Sequence, residues 1–122
     1  KADPRTDKVD LGLGGRADIN NSTHYGKVRV PTLRNVAVTG PYMSNGVFKE
    51  LSTVLAFYNH MSGQESTTLN PETNTTWAEA EVNATINHPL LEMKLLSDEE
   101  LAALEAFLIL LTDKQYEAAL NK

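Results

Sequence analysis

Apolar positions in this 122-residue chain recur at helical spacing in two stretches. Leu51, Val54, Leu55 and Tyr58 follow an i, i+3, i+4, i+7 rhythm and Gly63 lies just beyond, which predicts a helix over about residues 50–60. Its stripe must face a core. Tyr58 lies within that stripe, Met61 about 60° away on its edge, and His60 on the opposite face. The second stretch begins at Ser97-Asp98-Glu99-Glu100, a capping box, and continues with Leu101, Leu104, Leu108 and Leu111, with Phe107 alongside. A helix is predicted from about Asp98 to Leu111. Asp113 then reads as the cap of a last short helix over 114–120, with Tyr116 and Leu120 four apart on one face.

The remaining sequence is loop-like. Residues 1–29 are rich in Gly, Asp and Asn, and their only apolar patch is Leu11-Gly12-Leu13-Gly14-Gly15. A phosphate-cradling dinucleotide loop needs G-x-G-x-x-G between a strand and a helix, and G-x-G-G with no strand before it does not meet that pattern. From Lys27 to Gly46 β-branched residues are frequent, but Pro31, Gly40-Pro41 and Asn45-Gly46 break any ladder. This predicts an extended lead-in, a helical or irregular turn near 33–38 and a tight turn at Ser44–Gly46. Residues 62–93 form a polar connection longer than is usual inside a compact domain. Asn20, Asn21, Asn74 and Asn83 each open an N-x-[ST] pattern, which a segment of this composition produces by chance. The expected architecture is one small, mainly α domain with long irregular loops. Two or three helices bury too little apolar surface alone, so the core is expected to be completed by more polypeptide or a large cofactor.

Composition narrows the function classes. Eleven basic against 16 acidic side chains leave a formal charge of −5, without the basic face that nucleic acid requires. No run of about 18 apolar residues is present to span a bilayer as a helix. The absence of cysteine excludes disulfide scaffolds, thiolate catalysis and covalent haem attachment through C-x-x-C-H within these residues. The opening Lys-Ala-Asp-Pro reads as that of a processed segment or of the later part of a longer polypeptide. His24, His60 and His88 fit no H-x-x-x-H metal pattern. Glu99, Glu100 and Glu105 read as a solvated helix face, two of them in the first turn where the helix dipole favours acids. Trp77 reads as a local anchor, with a redox or partner-contact role as the alternative.

The densest motif is Val30-Pro-Thr-Leu-Arg-Asn-Val-Ala-Val-Thr-Gly-Pro-Tyr-Met-Ser-Asn-Gly-Val-Phe, continuing through Lys49-Glu-Leu-Ser-Thr-Val-Leu-Ala-Phe-Tyr-Asn59. It closely resembles the C-terminal haem domain of the bacterial di-haem cytochrome c peroxidase and MauG family. Asp10–Gly15 and the ending Leu96-Ser-Asp-Glu-Glu-Leu to Asp113, with Tyr116-Glu117, are also similar to that family, so the likeness covers most of the chain outside 62–93.

The resemblance implies a cytochrome c-like haem domain, here its C-terminal part over 1–122, and an exported or periplasmic di-haem oxidoreductase. It implies haem c attached to the portion outside this chain, and that haem-bearing N-terminal portion as a partner. It also implies hydrogen peroxide as oxidant and an electron-donor or substrate protein. Tyr58 falls where the peroxidases place a distal Met ligand of the second haem and MauG-like members a Tyr, with Met61 and Met43 as competing ligands and His60 pointing away. The Thr39 and Pro41 carbonyls match positions flanking a calcium ion between the haems, and calcium prefers hard oxygen donors. Arg34 is placed to pair bidentately with a carboxylate, either a haem propionate or a partner within the fold. Ser44 departs from the family, since many of the peroxidases carry His there. A tyrosine ligand points to oxidation of a protein partner, in the manner of MauG. The alternatives are an ordinary peroxidase fed by a small donor protein and a haem-free binding module.

Overall fold

Helices α1 (Leu51–Ser62), α2 (His88–Leu91) and α3 (Asp98–Ile109) carry the regular structure of the computed structural model, which describes residues 9–63 and 68–121. Short 3₁₀ turns form at Gly12–Gly15, Ser22–His24 and Val36–Val38, and a longer 3₁₀ segment at Lys114–Asn121. Among the described residues there is no strand ladder, only single bridges between Tyr42 and Phe48 and between Asn70 and Thr75. The mainly α expectation holds.

α3 starts as its sequence dictates. The Ser97 hydroxyl accepts from the Glu100 N–H at 3.2 Å while the Glu100 carboxylate accepts from the Ser97 N–H at 2.8 Å. Two donors that the first helical turn leaves unpaired are thereby satisfied. The Ser97 N–H and then Lys94 at 3.1 Å hold the Glu100 carboxyl below its ordinary range.

α1 is closed differently, because Glu50 at its start makes no side-chain cap. Glu72 from the distant Asn70–Thr75 turn reaches back, and its Oε1 accepts from the N–H of Lys49 at 2.9 Å and of Glu50 at 3.0 Å. The turn is itself braced where Asn70 Oδ1 accepts from the Glu72 N–H at 2.9 Å. Those backbone N–H donors, Glu50's first, lower the Glu72 carboxyl, and the Thr53 hydroxyl adds a further bond. Thr53, 1% exposed, is therefore a buried polar residue with its partner supplied.

The core is small. Leu51 and Leu55 of α1 meet Leu108 of α3, with Val36, Ala37, Tyr42, Leu101, Leu104 and Leu111 packed around them. Desolvation there raises the Tyr42 phenol, whose hydroxyl donates to the Val36 carbonyl at 3.0 Å. Past its acidic first turn α3 carries apolar residues on both faces, so the face opposite this core leaves Phe107 55% exposed and, just beyond the helix end, Leu110 80% exposed.

The expected single domain divides into two compact units: the stretch up to Val30 with Ala78–Pro89, and Pro31–Trp77 with Leu90–Lys122. The long 62–93 connection is split between them. In the first unit the Gly26 N–H donates to the Leu11 carbonyl at 3.0 Å and the Leu13 N–H to the Lys27 carbonyl at 2.8 Å. Gly12 has a positive φ of 53°, and a Cβ there would collide with the Lys27 carbonyl, so glycine is required. The Thr85 hydroxyl donates to the Tyr25 carbonyl and attaches the 78–89 segment to this unit.

Asp113 corrects an expectation. Its backbone carbonyl does accept from the Tyr116 N–H, but its carboxylate is turned away from the terminal 3₁₀ segment and taken by Arg34 and Asn35. A guanidinium and an amide compete better for a carboxylate than a single backbone N–H does.

Candidate functional site

Tyr58 sits in the second half of α1 and is 42% exposed, which corrects its expected enclosure in the core stripe. The stripe is real at Leu51 and Leu55, but the Leu108 contact lies at the N-terminal half of α1, and from Tyr58 onward the helix contributes no buried residue. Among the described residues nothing hydrogen-bonds the Tyr58 hydroxyl, while the Phe57 ring stands edge-on at 5.7 Å. The phenolic oxygen thus remains free as a donor atom at an open surface.

The opposite side of α1 is covered. Trp77 packs on Phe57 at 5.5 Å, on Phe48 at 5.8 Å and stacks on His60 at 5.6 Å, so it is an aromatic anchor for the turn that follows α1. His60 is engaged by that ring and by Thr68, 3.3 Å from its Nδ1. Met61 is half-buried on α1, and Met43 half-buried in the tight turn at φ 68°.

The turn at Ser44–Gly46 forms as expected, with the Gly46 N–H donating to the Met43 carbonyl at 3.2 Å and Tyr42 bridging to Phe48. Just before it, the Thr39 N–H and hydroxyl both turn back to the Val36 carbonyl, at 3.3 and 3.2 Å. Thr39 and Pro41 are exposed, and neither carbonyl accepts a hydrogen bond from a described residue. Two unpaired hard oxygens on one short turn suit calcium chemically, although among the described residues no cluster of acidic or histidine side chains is present to complete a metal site.

Arg34 grips Asp113 through Nε at 3.1 Å and Nη2 at 2.8 Å, which raises the guanidinium and lowers the carboxyl, the direct hydrogen bond being the main cause of both. The carboxylate that Arg34 pairs with in the fold is therefore Asp113. Beside it Asn35, at φ 62°, binds Asp113 from both ends of its amide. Two distant family-like segments, Leu33-Arg-Asn35 and Leu111-Thr-Asp113, are thereby brought together.

Sequence reasoning passed over Asn35, Asn59 and Glu72. The amide of Asn59 pairs with the Leu96 backbone, donating to its carbonyl at 3.0 Å and accepting from its N–H at 2.8 Å. Its partner lies 37 positions away, so no local spacing in the sequence marks it.

The chain is 45% identical over 118 residues to the methylamine utilization protein MauG of Paracoccus denitrificans, a match covering 95% of this chain and 30% of that protein. It is 51% identical over 55 residues to the cytochrome-c peroxidase IdrP1 of Denitromonas iodatirespirans, and 41% over 64 residues to the cytochrome-c peroxidase IdrP2 of a Pseudomonas strain. These matches cover 15% and 17% of the two peroxidases. No family model matches the chain. With nearly its whole described length aligned to one relative and about half to the others, the chain belongs to the di-haem peroxidase family that includes MauG and the bacterial cytochrome c peroxidases. It spans under a third of the length of the relatives it matches.

Proposed function

We propose that this chain is the C-terminal part of a cytochrome c-like, di-haem oxidoreductase, and that Tyr58 is the distal axial ligand of its second haem. The carrying observation is the Tyr58 phenol: it stands at an open face of α1 with its oxygen free of any described hydrogen-bond partner, inside the motif that most resembles the family. The residues present fit the group in that respect, and with no cysteine here its covalent attachment falls to the haem-bearing portion outside this chain. Bound haem supplies the iron chemistry with hydrogen peroxide.

The chain's own residues hold and orient. Tyr58 offers an anionic oxygen, which favours ferric and higher-valent iron over ferrous and so suits oxidation of a protein partner in the manner of MauG. The free Thr39 and Pro41 carbonyls offer two ligands to a calcium ion. Arg34 keeps Nη1 for a haem propionate while Nε and Nη2 hold Asp113. The location is periplasmic or exported; among the described residues no helix is long and apolar enough to cross a membrane.

The test is the full-length protein in its haem-loaded state. Peroxide-dependent oxidation of a protein substrate, with an oxygen-ligated low-spin ferric signal that Tyr58→Phe abolishes, is the expected result. The similarity to cytochrome-c peroxidases favours a second reading, in which a small electron-donor protein is oxidised instead. Turnover with a reduced donor cytochrome and none with a larger protein substrate would select it.

A further inference from the structure

The C-terminal half of α1 carries the proposed ligand and contributes no buried residue of its own, its packing being the contacts of Phe57 with Phe48 and Trp77 and of His60 with Trp77. Leu51, Thr53 and Leu55, the buried residues of the helix, all precede Tyr58. Beyond them, the polar attachments of α1 to the rest of its unit are the contact of His60 Nδ1 with Thr68 and the amide of Asn59, one residue after Tyr58, which alone is held from both of its ends. Asn59 uses both of its functional atoms on one residue: Nδ2 donates to the Leu96 carbonyl at 3.0 Å and Oδ1 accepts from the Leu96 N–H at 2.8 Å. A single hydrogen bond leaves the helix free to pivot about it, whereas a paired donor and acceptor on one backbone residue restrict both roll about the axis and sliding along it. Leu96 is itself well anchored, since it immediately precedes the capping box that starts α3.

We infer that Asn59 is a positioning residue for Tyr58, setting the rotation and height of α1 at which the phenolic oxygen is presented. This rests on the reading of Tyr58 as an iron ligand. Supporting groups of this kind must hold a ligand to within about 0.5 Å, and partners outside the coordination sphere routinely tune metal sites. The half-buried amide is suited to that task because leaving either of its atoms or the Leu96 groups unpaired is unfavourable.

The experiment compares Asn59→Ala and Asn59→Asp with Thr85→Val in the full-length, haem-loaded protein. Thr85→Val is the control: it keeps the side-chain shape and removes the hydrogen bond of the Thr85 hydroxyl to the Tyr25 carbonyl, a contact with no part in the proposed ligand set. The readouts are the resting ferric electron paramagnetic resonance spectrum, the reduction potential of the low-spin haem and the melting temperature. All three variants are expected to lower the melting temperature. Only the Asn59 variants are expected to broaden or lose the oxygen-ligated low-spin signal, with intensity moving to a high-spin signal and the potential shifting. Asn59→Asp keeps an acceptor for the Leu96 N–H but turns a carboxylate oxygen toward the Leu96 carbonyl in place of the donor, so it should lose the signal no less than Asn59→Ala. Asn59 variants with the wild-type spectrum and potential, destabilised as Thr85→Val is, would overturn the inference and leave the ligand reading standing. A wild-type spectrum without the oxygen-ligated signal would overturn the ligand reading, and this inference with it.

Discussion

Asn35 and Asp113 bind each other in both directions: the Asn35 amide donates to the Asp113 carboxylate at 3.1 Å, and the Asp113 N–H donates to the Asn35 carbonyl oxygen at 2.7 Å. The Asn35 N–H adds a bond to the Leu111 carbonyl at 3.0 Å, so the stretch just past α3 is laced to the turn that leads toward Thr39 and Pro41. Arg34 completes the cluster through its two-pronged grip on the same carboxylate.

This geometry predicts non-additive mutants. Asp113→Asn removes the charge, and Arg34→Lys keeps charge but loses the fork that matches a carboxylate. Each single change should lower the melting temperature, and the double variant should fall no further than the worse single one, because both remove one shared interaction. Thermal denaturation of the four proteins decides it, and fully additive losses would count against a shared cluster.

Glu72 makes folding acid-sensitive. Its carboxyl is lowered in the folded state, chiefly by the Glu50 N–H, so its contribution is present above the unfolded carboxyl value of about 4.3 and is lost as pH falls through the lower folded value. Glu72→Gln should be less stable than wild type near neutrality and should lose less on acidification below about pH 4. Melting curves across that range measure both. A variant that parallels wild type at every pH would show that the charge is irrelevant to the α1 start.

Sequence periodicity located what it encodes. α1, the Ser97–Glu100 box and α3 depend on neighbours within four residues, and these were legible. The closures at Glu72, Asn35 and Asn59 join residues 22, 78 and 37 positions apart, and no local spacing announces such pairs. Tyr58 shows the limit clearly. Its angular place on α1 matched Leu51 and Leu55, but exposure depends on where α3 contributes Leu108, which is a tertiary fact. The likeness to a family carried Tyr58, Thr39 and Pro41 further than periodicity did.

The buried set is so small that each member should matter. Leu108→Ala removes the buried α3 residue of the Leu51–Leu55 contact, beside the half-buried Leu101 and Leu104, and should cost about 2–5 kcal/mol, the usual range for a core leucine that leaves a cavity. Chemical denaturation measures it. A loss under about 0.5 kcal/mol, the ordinary level for surface substitutions, would mean that the α1–α3 contact contributes little.

Calcium removal tests the Thr39 and Pro41 carbonyls. An ion held there would tether the turn preceding α1, so chelation of the haem-loaded protein should change its visible spectrum or peroxide reactivity, and added calcium should restore both. Metal analysis before chelation is the companion measurement. Calcium-free protein with unaltered behaviour throughout would remove calcium from the reading.

Tyr58→Phe separates a ligand from a packing residue with one atom. The ring remains, so its edge contact with Phe57 is kept, and the lost hydroxyl had no hydrogen-bond partner among the described residues. A tyrosine serving only the fold should therefore change stability by no more than about 0.5 kcal/mol and leave the haem spectrum as it was. A ligand behaves otherwise: deleting the oxygen removes an anionic donor from iron, which alters spin state and raises the reduction potential. The expected result in the full-length protein is near-unchanged melting, loss of the oxygen-ligated low-spin signal and a large fall in peroxide-driven turnover. If the low-spin signal persists in Tyr58→Phe, the ligand is another residue, and Met61→Leu and Met43→Leu, which keep volume while removing the thioether, are the variants that find it.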